Sequence, residues 1–503
     1  MSGKAIFVFD HGTTSIRACV MNEQGDIFAR NQKSFEQFYP QPGWVEHDAN
    51  ELWAVSKIVA EEALKEAKLN WQDIAAIGMT NQRETVILWD KETGKPVHHA
   101  IVWQCRRTTE FCDGLKQKNL GKTITEKTGL VIDPYFSASK LRWLLDNVPE
   151  AQDLLKKNRL LFGTVDTWIL WNLSGGKLHV TDYTNASRTM LYNIHKKCWD
   201  DELLEIFGVP REILPSVQAS NVVYGESDAK TTGGVAVKLA GNAGDQQAAL
   251  HGQKCWQPGL AKSTYGTGAF LVMNTGNTPV TSQRGLLTTL ATEARGDCAY
   301  AMEGAIFIAG ATIEWLQKKL GVLDSAKEVD ALAQSLSSNE GVYLVPGFAG
   351  LGAPYWDADA RAAIVGLTQD SGKAHLVRAA VEAMAYQTRE VLGLMQEEAG
   401  LKLEALRVDG GVTRSQFLCQ FLADVLQTPV LRSDDPELTA KGAGYLAGLA
   451  VGFWKSPDEI VKLPEQLERF EPTMPKAEAD KLFLGWLGAV NRTLSEQKTP
   501  VSV

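Results

Sequence analysis

The chain has no long basic run, no C-x-x-C pair, no apolar stretch that could cross a bilayer and no complete nucleotide fingerprint of the common kinds. Each absence narrows its function. The formal net charge is −9 at pH 7. Nucleic-acid binders carry a basic patch, so no nucleic-acid partner is expected, and no polybasic segment draws this surface to an anionic membrane. The seven cysteines (19, 105, 112, 198, 255, 298 and 419) are scattered and odd in number. With no C-x-x-C among them, that pattern argues against a disulfide framework or a zinc site, so free thiols in a reducing compartment are expected. Only about five apolar residues precede Asp10, too few for a signal peptide. The longest uncharged apolar run, Gly442 to Trp454 between Lys441 and Lys455, falls short of the about 20 residues that a membrane helix needs. A cytoplasmic protein without membrane insertion is expected. Gly121-Lys122-Thr123 ends like a Walker-type loop, but Lys116 stands where its first glycine belongs and no strand leads in. No strand–G-x-G-x-x-G–helix unit occurs, which argues against a Rossmann dehydrogenase.

At 503 residues the chain is too long for one core and suggests roughly two to four domains. Residues 4–10 and 15–21 read as paired strands around a tight turn, within Phe7–Val20 (FVFDHGTTSIRACV). Asp48 with Glu51 reads as a capping box opening a helix with Leu52, Val55, Ile58 and Val59 on one face. Short strands follow at 74–80, 85–89 and 100–103, alternating with amphipathic helices as in a mixed α/β sheet. Ser263–Val272 (STYGTGAFLV) echoes the opening hairpin: a strand meets Gly-Thr and leaves as an apolar strand. The echo suggests two related α/β domains, divided near residue 250.

The tip of the first hairpin holds one acid among small donors. Asp, Gly and hydroxyl residues form ordinary turns. They also suit a phosphate: Gly12 lets the backbone approach, Thr13, Thr14 and Ser15 donate, and Arg17 adds positive charge. Asp10 makes sense there if Mg2+ lies between it and the phosphates. Val408–Val412 (VDGGV) before a helix is either a plain strand-to-helix turn or a flat bed for a nucleotide. In Gly241–Gln247 (GNAGDQQ), Asp245 either caps the helix that follows or faces a small substrate as general base. Arg83-Glu84 after a strand is either a solvated loop or a pair that donates to and accepts from a polyhydroxyl compound. Trp103 and Phe270 belong to a core or pave the apolar side of a polyol. His98-His99 has no third ligand nearby and reads as surface.

From Asp10 to about Trp454 the chain resembles the FGGY carbohydrate kinases, in particular their glycerol-phosphorylating branch. Two long signatures carry the resemblance, Tyr135–Asn147 (YFSASKLRWLLDN) and Ala362–Glu382 (AAIVGLTQDSGKAHLVRAAVE). Shorter stretches add to it: GWVEHD from Gly43, TNQRET from Thr80, IVWQCRRT from Ile101, DYTNASRTML from Asp182, AGDQQAAL from Ala243, TYGTGAF from Thr264 and GLGAPYWD from Gly350. The resemblance implies two ribonuclease-H-like α/β domains of the actin/hexokinase-type ATPase fold, 1–250 and 251–503, with the active site in the cleft between them. It implies ATP and Mg2+ as cofactors, ATP:glycerol 3-phosphotransferase activity, and a homo-oligomer, dimer or tetramer. It places Asp10 and Asp245 near Mg2+, and Thr13, Thr14, Ser15 and Arg17 on the nucleotide phosphates. It places Arg83, Glu84, Tyr135, Asp245 and Gln246 on glycerol, with Trp103 and Phe270 along its carbons and Asp245 as base. Thr267, Gly310, Glu314, Gly411 and Ser415 border the nucleotide. His11, Glu314 and Ser415 depart from the usual Gln or Glu, Gln and Asn, which puts nucleotide affinity or choice in question. A kinase for another small polyol or ketose is the alternative, and a non-catalytic ATP-driven switch a further one.

Some bacterial members of this branch are inhibited by fructose 1,6-bisphosphate through a Gly-Gly-x-Arg loop, whose arginine grips a phosphate with two parallel hydrogen bonds. The matching loop here is Gly233-Gly234-Val235-Ala236, and the nearby Lys230 and Lys238 do not reproduce that fork. Other relatives are switched by histidine phosphorylation in this region, but no histidine stands between His195 and His251. The expected outcome is activity indifferent to millimolar fructose 1,6-bisphosphate. Titration at fixed Mg2+ and ionic strength checks it, and a saturable loss would point to a different phosphate site.

Overall fold

The computed structural model describes residues 5–357 and 359–495; Lys4, where the first expected strand begins, lies outside them. Two sheets organise the chain. The first is built from β1 (Ala5–His11), β2 (Ser15–Met21), β3 (Ile27–Ser34), β4 (Ile74–Asn81), β5 (Val223–Glu226) and β6 (Lys238–Gly244), in the order β5-β6-β4-β1-β2-β3. The second is built from β7 (Ala261–Tyr265), β8 (Ala269–Gly276), β9 (Leu287–Thr292), β10 (Cys298–Ile306), β11 (Leu406–Asp409), β12 (Val430–Ser433) and β13 (Leu467–Phe470), in the order β9-β10-β8-β7-β11-β12-β13. β1 pairs antiparallel with β2 and parallel with β4. β7 does the same with β8 and β11. The two hairpins that echo one another in sequence therefore occupy matching places in the two sheets.

β1 is apolar from Ala5 to Phe9 because both of its faces are covered. Ala5, Phe7 and Phe9 pack with helix α1 (Ala49–Ala67), while Ile6 and Val8 pack with Ala440, Ala443 and Ala447 of a helix far along the chain. Asp48 caps α1 by accepting from the Asn50 N–H at 2.8 Å. The expected capping box does not close, because Glu51 turns away and accepts the Glu36 N–H at 3.2 Å. Ile58 lies off the buried stripe of Leu52, Val55, Val59 and Ala63 and is exposed. Its spacing from Val55 suggested otherwise, but the helical rotation puts it on the far side. His98 and His99 are not free surface residues: both face Glu46, with His99 Nδ1 3.2 Å from its carboxylate.

Helix α2 (Asp245–Gly252) follows β6 directly. Helices α3 (Gly310–Lys318), α4 (Lys373–Ala399) and α5 (Gln416–Leu426) belong with the second sheet, whose core includes buried residues of α4 and α5. Helix α6 (Leu438–Val451) accounts for most of the apolar run noted in the sequence. It returns to the first sheet and lies against α2, β1, β4 and β6. Among the described residues no helix is long and apolar enough to cross a membrane.

The α2–α6 crossing has no room for a side chain. A Cβ on Gly442 would lie 1.9 Å from the Ala248 carbonyl oxygen, and one on Gly252 would lie 1.9 Å from that of Leu438. Gly442→Ala is therefore expected to destabilise the protein by about 1–3 kcal/mol through overpacking, although alanine is the better helix former by about 1 kcal/mol. Urea unfolding checks this, and an unchanged midpoint would show that the helices separate freely.

Candidate active site

Three parallel strands end in one place. In their register, His11 is level with Asn81, and Asn81 with Gly244. Asp10, the Arg83-Glu84 pair and Asp245 therefore meet at the carboxyl ends of β1, β4 and β6, where open α/β sheets bind ligands. Asp10 stands across the hairpin from Arg17. Burial raises its pKa to about 6 despite the pull of Arg17, with Asp245 and Glu437 pushing the same way. Arg17 is not a free cation: its Nη1 donates to Glu437 at 2.5 Å and its Nε to Gln32 at 3.3 Å. Ser15 accepts from Gln32 at 2.7 Å, Thr13 Oγ1 accepts from Trp103 Nε1 at 3.0 Å, and Thr14 is exposed. His11 points the other way. It is fully buried on the α1 side, 2.9 Å from the Ser56 hydroxyl, and burial lowers its pKa to about 3. Alternation along β1 thus puts Asp10 and His11 on opposite faces of the sheet, with His11 on the α1 side.

Arg83 and Glu84 are not a solvated loop; they are 3% and 1% exposed. Glu84 holds a left-handed backbone, φ 63°, that non-glycine residues rarely adopt. Arg83 reaches Glu303 at 2.5 Å, Gln247 at 3.3 Å, the Tyr135 hydroxyl at 3.4 Å and Asp245 Oδ1 at 3.2 Å. Burial pushes Glu303 up, but Arg188 and Arg83 outweigh it and hold its pKa at about 2. Asp245 is raised by burial, against the pull of Arg83 and Lys262, and also accepts the Gln246 N–H at 2.7 Å. Gln246 Oε1 accepts from Lys262 Nζ, which also donates to Thr264 at 3.0 Å. Trp103 stands edge-on to Tyr135, ring centroids 5.5 Å apart.

The second sheet supplies the opposing wall. Lys262, Val272 and Glu303 stand in one row across β7, β8 and β10, and Thr264, Phe270 and Ala305 in the row two residues along. Phe270 therefore shares a sheet face with the two charges that meet Gln246 and Arg83. Arg188, Glu303 and Lys262 escaped notice in the sequence. The available signal for the last two was a lone charge in an otherwise uncharged strand, CAYAMEGAI and AKSTY; Arg188 lay within DYTNASRTML.

The β7–β8 turn is stitched to the start of α3: Ala309 and Ala311 donate to the Thr267 carbonyl at 2.8 and 3.1 Å, and Gly310 to that of Gly266 at 3.0 Å. Gly410 (φ 98°) passes so close that a Cβ would lie 2.2 Å from the Tyr265 carbonyl oxygen. Thr267, Gly310 and Gly411 thus come together around one turn. Glu314 sits on the exposed side of α3, paired with Lys318 at 2.5 Å. Ser415 caps α5 through the Leu418 N–H at 3.0 Å and donates to Asp330. Among the described residues no cluster of three His, Cys, Asp or Glu is arranged to hold a metal. Asp245 is instead close enough to Asp10 to add to the burial that raises the Asp10 proton affinity, a pair that a divalent cation completed by ligand oxygens would relieve.

Two α/β sheets, each opening on an antiparallel hairpin, define a two-domain α/β architecture, and the solved structures that share it include kinases. The fold matches that of a Plasmodium falciparum glycerol kinase with ADP at a TM-score of 0.92, 35% identity and 98% of both chains. It also matches a ligand-bound xylulose kinase from Lactobacillus acidophilus at 0.88 and 21% identity, over 97% of this chain and 98% of that one, a likeness of fold alone. The chain belongs to the FGGY family of carbohydrate kinases, whose N-terminal domain matches residues 5–252 and whose C-terminal domain matches residues 261–451. It is 53% identical to glycerol kinase 2 of Thermotoga maritima, over 98% of this chain and 100% of that one. It is equally 53% identical to the glycerol kinase of Thermoanaerobacter sp. strain X514, over 98% and 99%.

Glu303 compensates two buried guanidiniums at once. Glu303→Ala is expected to cost about 3–5 kcal/mol, the usual penalty for uncompensating buried charge. Chemical unfolding measures it; a loss under about 1 kcal/mol would mean that water replaces the carboxylate.

Proposed function

We propose that this chain transfers the γ-phosphoryl group of ATP to the 3-hydroxyl of glycerol, giving ADP and sn-glycerol 3-phosphate. The observation that carries the reading is the convergence of Arg83, Glu84, Tyr135 and Asp245 with one another: an acceptor carboxylate beside a buried pair that both donates and accepts, with Trp103 against Tyr135. The similarity to glycerol kinases supports the substrate. Residues 1–250 form the glycerol and phosphate domain, and 251–503 the nucleotide domain. The enzyme works in the cytoplasm as a dimer or tetramer.

In this mechanism Arg83 donates to glycerol oxygens, Glu84 and Asp245 accept from its hydroxyls, and Gln246 donates through the amide nitrogen that Lys262 leaves free. Trp103 and Phe270 lie along the carbons and leave no room for a pentulose. Asp245 takes the proton of the attacking hydroxyl. Its raised proton affinity suits a general base better than an ordinary carboxylate would. Thr13, Thr14 and Ser15 donate to the phosphates, with Arg17 balanced by Glu437. Thr267, Gly310, Gly411, Glu314 and Ser415 border the rest of the nucleotide. Asp10 and Asp245 would hold Mg2+, which supplies charge neutralisation at the phosphate oxygens. A switch ATPase would share the phosphate turns but has no use for the buried Arg83-Glu84 pair.

A coupled assay of ADP release with glycerol, with xylulose and with neither tests the reading. Release that depends on glycerol is expected, and equal rates in all three would overturn it. Asp245→Asn keeps the shape but cannot take the proton, so kcat is expected to fall by ~10²–10⁴ with glycerol still bound by calorimetry. A variant keeping more than half of wild-type kcat would remove Asp245 as the base.

A further inference from the structure

The stretch DYTNASRTML, Asp182–Leu191, supplies a charge that is wholly buried. Arg188 is 0% exposed. Its Nε donates to Glu84 Oε1 at 2.7 Å and its Nη2 to Glu303 Oε1 at 2.8 Å. The guanidinium carbon lies 5.6 and 5.2 Å from the Tyr135 and Phe136 ring centroids. Glu303 in turn holds Arg83 at 2.5 Å, and Arg83 Nε stands 3.7 Å from the same Glu84 oxygen. The four charges close a ring, Arg83–Glu303–Arg188–Glu84.

The ring treats the two oxygens of Glu84 differently. Oε1 faces both guanidiniums, while among the described residues no side chain or backbone N–H donates to Oε2. The terminal torsion of a glutamate is broad and sets no preferred orientation by itself. The backbone end is held by the left-handed turn and by Ser137, whose hydroxyl donates to the Glu84 carbonyl at 3.1 Å. The carboxylate end is held by Arg188. We propose that Arg188 is a positioning residue for polyol recognition: by engaging Oε1 of Glu84 and anchoring to Glu303, it presents Oε2 to the substrate hydroxyl farthest from the reacting one. This rests on the glycerol reading given above. A planar fork is required, because one group must bind two carboxylates at fixed angles, and a lysine ammonium is a point charge on a flexible stem.

The test compares wild type, Arg188→Lys, Glu84→Gln and the double variant, with glycerol and with propane-1,2-diol, which lacks that hydroxyl. Arg188→Lys keeps the buried charge. Its kcat/KM for glycerol is expected to fall about 10- to 100-fold, the worth of a hydrogen bond to a charged group, mainly through KM. Its kcat/KM for propane-1,2-diol should change far less, so discrimination between the two collapses. In the Glu84→Gln background the lysine substitution should have little further effect on glycerol. Unchanged discrimination would overturn the proposal, and so would an equal loss with and without Glu84. Should Arg188→Lys fail to fold, Glu303→Gln is compared with and without Glu84→Gln: because Glu303 also holds Arg83, only the part of its loss that vanishes in the Glu84→Gln background counts for the proposal, and a loss that persists there in full overturns it. Absence of glycerol-dependent ADP release by the wild type would instead sink the substrate assignment and leave the ring as structure.

Discussion

A carboxylate buried between two guanidiniums sets the terms for the rest of this molecule. Glu303 lies on the second sheet, while Arg83 and Arg188 come from the segment that builds the first, and all three are almost without solvent. None could be buried alone: an uncompensated charge inside a protein would neutralise itself or unfold its surroundings. The two sheets must therefore meet where these charges meet. That contact forms the floor of the site, and it explains why Arg83 and Glu84, which alone would be a solvated pair, occupy the interior.

Register and close packing do the remaining positioning. Three parallel strands ending level bring Asp10, Arg83 and Asp245 to one edge, although they are far apart in the chain. α6 lies against all three strands and almost against the backbone of α2, a close approach that glycine at 252 and 442 permits. A late segment of the chain thus braces the sheet that carries the earliest site residue. The same helix is preceded by Glu437, which meets Arg17 beside the β1–β2 turn, so the brace and the charge balance of the hairpin are set by one stretch.

Positive charge in the site is mostly tied. Arg17 is balanced by Glu437, Lys262 is engaged by Gln246 and Thr264, and Arg83 is shared between Glu303 and Asp245. Fixed, partnered charges need little rearrangement when a phosphoryl group passes, and that is how electrostatic preorganisation lowers a barrier. Burial also separates the acids: Glu303 is held strongly ionised by its two guanidiniums, whereas Asp245 and Asp10 are pushed toward protonation. One acid is thereby kept charged, while the other two hold a proton more readily than an ordinary carboxylate.

Local chemistry made much of this legible in the sequence alone. Apolar runs on either side of Gly12-Thr13 specify a hairpin, Gly-Asp at 244–245 specifies a strand-to-helix turn, and the family signatures specify the two-sheet fold, because each depends on neighbours in the chain. The sequence could not say that Arg83 and Glu84 are interior, that Arg188, Glu303 and Lys262 belong to the site, that His11 faces away from the cleft, that Ile58 faces solvent or that Arg17 is already paired. Most of those facts depend on which groups distant in the chain share the same low-dielectric space, 104 positions apart for Arg188 and Glu84 and 420 for Glu437 and Arg17. A side chain's type announces what charge or hydrogen bond it can offer, but only the tertiary fold decides whether water or another side chain receives it.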